Sequence, residues 1–300
     1  MKTHRFSHEA MATLFEIRCV HQGASYARQA AEAAFALVDR LEQEQSRFIA
    51  NSDVSRINHL SLGEGTRVSP ETMECLEIAR RMYDLTLGAF DISVGSGLLG
   101  LDLVSDELMV QARTGGVRLD LGGIGKGYAV DRVAELLEEW EIPRALIHGG
   151  WSSVLAMGPP VDEDGWPLTL SAPPPQESRV LVRISARQKA FSASGTRKED
   201  HIRDPRTGQP VRDRAAWVAV DGREEGGSES PATLAEALST AFMVLSREEI
   251  ADLCRRCPGV EAWLVEDEAL VHLPAPAQSG ASAQGPPSSW IKGLSPRGLE

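Results

Sequence analysis

"LDLGGIGKGYAVD", residues 119–131, sets four glycines, one lysine and two aspartates between a stretch that alternates like a strand and one that repeats like a helix. The strand reading covers "VRLDL", 117–121. From Gly127 the residues Val130, Val133, Ala134 and Leu137 recur at the spacing that lines one helix face, as far as Trp140. The junction therefore reads as a strand, a glycine loop and a helix N-terminus. Such a terminus presents unpaired N–H groups and the positive end of the helix dipole, and glycines ahead of it let a phosphate approach the backbone. Lys126 adds a full positive charge there. The pattern is neither a Walker A loop, because no Ser or Thr follows the lysine, nor the GxGxxG dinucleotide fingerprint. A glycine turn that only permits tight packing of helix on strand is the plainer alternative, and it stays open.

Outward from this junction the types continue to mix. "TLFEIRCV", 13–20, alternates like a half-buried strand, and 24–45 then carry alanine, leucine and valine at helical spacing with a charged opposite face. Over 69–87 Ser69 reads as an N-cap, Pro70 as the first helical residue and Glu71 as an acidic first-turn residue. Cys75, Ile78, Ala79 and Met82 form the apolar stripe, and Gly88 ends it. Downstream, short strands are predicted at 144–148, 167–171, 179–185, 215–220 and 262–272, with a last long helix over 231–252. From Pro274 proline, serine, glycine and alanine dominate, which predicts a folded domain over 1–273 and a flexible tail over 274–300.

Composition narrows the function classes. With 300 residues and 42% hydrophobic content the chain can bury a sizeable core. A net charge of -12 argues against broad contact with nucleic acid or an anionic membrane, both polyanions. No stretch approaches the roughly 18 apolar residues of a spanning helix. The first residues, "MKTHRFSHEAMATLF", carry charges and histidines where a secretory segment would be apolar, and no lipobox cysteine stands near them. A cytoplasmic location is the expectation. Cys254 and Cys257 form a lone CxxC with no second pair to complete a zinc site.

Two further polar stretches can carry chemistry. In "SASGTRKEDHIRDPRTGQPV", 192–211, a histidine and several arginines crowd around the turn signals Asp-Pro and Thr-Gly, with Asp204 inside and Asp213 just beyond. His201 has the side chain suited to act as general base near neutral pH, and Asp204, three residues on, can orient it. A solvated loop with a surface histidine is the bland alternative. In "SPATLAEALSTAFMVL", 230–245, Leu234, Leu238, Ala241, Phe242 and Leu245 share an apolar face, while Glu236 and Thr240 fall together opposite it. A carboxylate and a hydroxyl one turn apart are oxygen ligands of the kind Mg²⁺ prefers, and a solvated helix face is the bland alternative.

The order of these signals is more specific than any one of them. "MATLFEI" (11–17), "SRFIANSDVSRIN" (46–58), "GAFDISVG" (88–95), "LDLGGIGKGYAVD", "HGG" (148–150), "SASG", "HIRDPRTGQPV" and "AEALSTAF" (235–242) follow one another as in a known family. Over residues 8–272 the chain resembles the FAD:protein FMN transferase (ApbE-like) family.

The resemblance implies a mixed α/β (α+β) fold of the family's own type, with sheets flanked by helices. It implies FAD as substrate in a cleft and Mg²⁺ at its pyrophosphate. The implied reaction moves FMN from FAD to a threonine or serine hydroxyl of an acceptor protein and releases AMP, and some members hydrolyse FAD instead. By the same resemblance Met11, Phe48, Ala89, Phe90, Asp91, Asp120 and Lys126 match FAD-contacting positions. The metal would take a backbone carbonyl at Gly123 and the side chains of Glu236 and Thr240, and His201 matches the base. Most members carry aspartate where Glu236 stands, and aspartate is also common at the position of Trp151. Hydrolysis of FAD and a non-catalytic flavin-binding role remain alternatives at this point.

Overall fold

"RAAWVAVD", Arg214–Asp221, divides its apolar side chains between two faces: Ala216, Val218 and Val220 join one buried cluster, and Ala215, Trp217 and Ala219 join another. A strand apolar on both faces belongs at the middle of a covered sheet, and it does so here. The computed structural model describes residues 1–171, 179–195, 202–222, 227–228, 230–266 and 269–274.

Among these residues the main sheet has eight strands. They are β1 (Lys2–Ala10), β2 (Thr13–His21), β6 (Ala145–Gly149), β7 (Ser153–Met157), β10 (Lys189–Gly195), β11 (Arg214–Asp221), β12 (Val260–Glu266) and β13 (Ala269–Leu273), side by side in that order. A three-stranded sheet has the order β3 (Gly65–Arg67), β5 (Met109–Ala112), β4 (Leu101–Val104), and β8 (Trp166–Ser171) pairs with β9 (Val180–Ala186). Every ladder between these strands is antiparallel. The helices are α1 (Ala24–Gln45), α2 (Asp53–Ile57), α3 (Pro70–Leu85), α4 (Gly125–Glu139), α5 (Pro231–Ala241) and α6 (Arg247–Arg256).

Helices α1, α4 and α5 lie on one face of the main sheet, and α3 packs on α1 and α5. Their core takes Phe15, Ile17, Ile147, Leu155 and Val218 from the sheet. Trp166, Leu170 and Ala186 of the β8–β9 hairpin join the opposite face, where Val20, Leu146, Phe191, Trp217 and Trp263 are buried with them. No described helix is long and apolar enough to cross a membrane.

The α+β class expected from the sequence is borne out, and α1, α3 and α4 fall where their periodicity places them. Three expectations need correction, and several strands, β1 among them, were not anticipated. Residues 117–121 form no strand, because their backbone is claimed elsewhere. Arg118 N donates to Ser96 Oγ at 2.9 Å, Leu119 N to Asn58 Oδ1 at 2.6 Å and Asp120 N to the Ile92 carbonyl at 2.7 Å. The segment 262–272 is two strands, β12 and β13, that pair with each other. The helix over 231–252 is two, α5 and α6, because Ser246 starts α6 with a capping box completed by Glu249. The inward residues of β1 include His4, Phe6 and His8, and its outward ones include Arg5 and Glu9. The predicted tail from 275 onward lies outside the described residues.

Candidate functional site

The N-terminus of α4 has no side-chain cap of its own, and neither has that of α5. Each is served by a carboxylate from the other helix. Asp131, on α4, accepts from Ala232 N at 3.0 Å and from Thr233 N and Oγ1 at 2.7 and 2.5 Å. Glu236, on α5, accepts from Gly127 N through Oε2 and from Lys126 Nζ through Oε1. The reciprocal arrangement requires a close approach, and Gly127 provides it: a Cβ there would stand 2.3 Å from the Ala232 carbonyl oxygen. The helices meet so tightly that Asp131 is fully enclosed, and burial pushes its carboxyl up to about 6 despite the three donors.

Glu236 was set on a helix face that sequence reasoning gave by default to solvent. It is 4% exposed, because α5 is buried nearly all round. One turn on, Thr240 Oγ1 donates to the Glu236 carbonyl at 3.2 Å. A Cβ on Gly123 would stand 3.3 Å from Thr240 Oγ1 and 3.4 Å from the Phe90 ring. Gly123 and Lys126 from one stretch and Glu236 and Thr240 from another therefore share one place, with buried Phe90 against them. Ser239 Oγ bonds the Glu236 carbonyl at 2.9 Å and meets the hydroxyls of Ser194 at 2.9 Å and Ser192 at 3.3 Å.

Around this centre the other expected residues group in smaller sets. Asp120 caps the 3-10 turn Leu121–Gly123 by accepting from Gly122 N at 2.9 Å, and it pairs with Arg47 Nε at 2.9 Å. The Arg47 guanidinium lies 4.2 Å above the Phe48 ring, which is 79% exposed. Arg47 thus joins two expected residues and was missed, although it stands beside Phe48 in "SRF". Ala89 and Phe90 are core side chains, so only their backbone is available to a ligand. Asp91 closes its own turn, accepting from Ser93 N and Oγ at 2.8 and 2.7 Å and from Gly95 N at 2.9 Å.

That turn touches the second polar stretch, since a Cβ on Gly95 would stand 2.9 Å from the Pro205 carbonyl oxygen. There Asp204 holds Arg206 through both oxygens at 3.0 Å, and the guanidinium keeps its carboxyl below the usual range. His201 lies outside the described residues. Met11 is the first residue of the β1–β2 turn, where Met11 and Ala12 have φ of 50° and 54°. Neither is the Asn or Gly such a turn favours, and strain of this kind is kept where the surroundings fix it. The same end of the sheet carries Gly149, whose Cβ position is 3.5 Å from the Lys126 carbonyl oxygen, and Trp151, 93% exposed.

The centre offers the Glu236 carboxylate and the Thr240 hydroxyl as oxygen donors, with the Lys126 ammonium beside them at the N-terminus of α4. Among the described residues no group of three or more His, Cys, Asp or Glu side chains gathers as a metal cage. Oxygen donors of mixed kind beside a helix N-terminus suit a phosphate-bearing ligand that brings ligands of its own.

Comparison with known proteins decides the family. The profile of the ApbE family matches residues 11–100 and 98–264. The chain belongs to the ApbE family. An FAD:protein FMN transferase of Vibrio cholerae is 25% identical over 275 residues, 79% of this chain and 80% of the relative. One from Salmonella typhimurium is 23% identical, covering 87% of this chain and 83% of the relative. The ApbE protein of Thermotoga maritima superposes with a TM-score of 0.79 at 23% identity, over 91% of this chain and 97% of that one. The apo flavinyl transferase ApbE of Pseudomonas stutzeri gives 0.76 at 24% identity, over 90% and 93%. The family that the order of motifs resembles is the one whose profile matches residues 11–100 and 98–264.

Proposed function

We propose that this ApbE chain transfers FMN from FAD to a threonine or serine hydroxyl of an acceptor protein and releases AMP, with Mg²⁺ at the pyrophosphate. The observation that carries the reading is the convergence of Gly123, Lys126, Glu236 and Thr240 at the N-terminus of α4. The names of the curated relatives support the reaction.

The donor set suits a hard divalent cation, and Glu236 already attracts a positive charge, that of Lys126. Glu236, Thr240 and the Gly123 carbonyl would hold the ion, which when bound would neutralise pyrophosphate charge. The remaining work falls to the chain. Lys126 and the first N–H groups of α4 draw the pyrophosphate to the backbone. Phe48, held under Arg47, offers an exposed ring for stacking, and Met11 lies at the same end of the sheet as the Lys126 backbone. His201 takes the proton of the acceptor hydroxyl as its oxygen bonds to the FMN-side phosphorus. The bond from that phosphorus to the bridging oxygen breaks, and AMP departs with that oxygen. Asp204, whose oxygens hold Arg206, closes the turn that follows His201 in sequence.

His201→Ala tests the assignment of the base. AMP release from FAD should fall by about 10²–10⁴ while FAD affinity is kept. AMP release unchanged in this variant would remove His201 from the mechanism.

A further inference from the structure

Among the described residues Lys126 and Glu236 form the ion pair at the convergence point, and its geometry is lopsided. The Glu236 side chain is 5% exposed and that of Lys126 24% exposed. One carboxylate oxygen is fixed inward by Gly127 N, so the carboxylate cannot turn away, and the other faces the site and carries the ammonium. The ammonium has a weaker second partner, the Gly122 carbonyl at 3.3 Å. A buried carboxylate is costly to leave without a counter-charge, and at Glu236 the ammonium supplies it. Two cations at one oxygen repel each other at contact distance in a partly buried site, so each weakens the other's hold.

We infer that Lys126 is a displaceable counter-ion at Glu236, and that a divalent metal and the Lys126 ammonium occupy this carboxylate in turn. Metal entry releases the ammonium, whose flexible four-carbon stem stays anchored in the first turn of α4, where the phosphate of a ligand would lie. Lys126 thus has two stations: on Glu236 before metal enters, and on the pyrophosphate side afterwards. The inference rests on the reading that the site takes a metal.

The test uses the protein without FAD, so it is independent of transfer. Mn²⁺ binding is followed by the electron spin resonance of the free ion, in the wild type, in Lys126→Met and in Glu236→Gln. Removing the competing ammonium should tighten Mn²⁺ binding by about tenfold or more in Lys126→Met, and Glu236→Gln should lose it. Unchanged or weaker binding in Lys126→Met overturns the inference, as does absence of binding in the wild type and Lys126→Met alike. Should Lys126→Met fail to fold, acetylation of the wild type decides. Mn²⁺ should raise the labelling of Lys126 severalfold and leave Lys2 and Lys189 unchanged, and equal labelling of Lys126 with and without metal overturns the exchange. A protein that exchanges Lys126 for metal yet releases no AMP would keep this inference and lose the transferase reading.

Discussion

Asp131 and Glu236 are both buried carboxylates, yet the hydrogen bonds to one come from neutral donors and those to the other include an ammonium. For Asp131 burial outweighs the donors, and its carboxyl rises from 3.8 to about 6. Below pH 4 folded and unfolded chains both hold the proton. Between pH 4 and pH 6 the folded chain keeps a proton that the unfolded chain has lost, so this residue's contribution to stability falls as pH rises through that window. The stability gap between wild type and Asp131→Asn, measured by urea denaturation, should be widest near pH 4 and narrow toward pH 7. A gap that widens with pH would contradict the assignment. None of this was legible beforehand, because Asp131 and its partner Thr233 are 102 residues apart in sequence and a spacing argument cannot pair them. Arg47, Phe48 and Asp120 show the same limit: two were expected, and the arginine that joins them was not.

At the scale of elements, the four glycines of the opening stretch serve different ends. Gly127 exists for α5, whose backbone leaves no room for a Cβ, and Gly123 lies against Thr240 and Phe90. The plainer reading of the glycines as packing residues is therefore right for Gly127, with a helix and not a strand as the partner. Gly127→Ala should force α4 and α5 apart, lowering stability by about 1–3 kcal/mol and separating Gly127 N from Glu236. Thermal and urea unfolding would measure it, and a variant as stable as the wild type would show that the helices can shift freely. Helices α1, α3 and α4 were readable because each is amphipathic with a polar face. The break between α5 and α6 was missed, although Ser246 and Glu249 stood in the sequence as a capping signal, because the apolar pattern runs past them. The extended run 117–121 looked like a strand because its residues alternate; the Asn58 side chain, not a neighbouring strand, satisfies Leu119 on both its N–H and C=O.

Across the whole molecule, an eight-stranded sheet covered on both faces fixes the relative positions of loops that are far apart in sequence. The β1–β2 turn and the Gly149–Gly150 turn meet at one end, where Gly150 N donates to the Leu14 carbonyl at 3.1 Å. α4 and α5 cross the same sheet and bring Lys126 to Glu236. The family was legible because the order of motifs survives without knowledge of any contact, whereas the ion pair at the centre needed the fold. The central claim is that this centre serves transfer of FMN to a protein hydroxyl, and one measurement tests it most directly. The protein is incubated with FAD, Mg²⁺ and a Thr-bearing acceptor domain, and AMP is quantified by chromatography while the acceptor is weighed by mass spectrometry. The account predicts AMP and FMN-modified acceptor in equal amounts, both lost with EDTA. AMP accompanied only by free FMN, or no AMP from a protein that binds FAD, would contradict it.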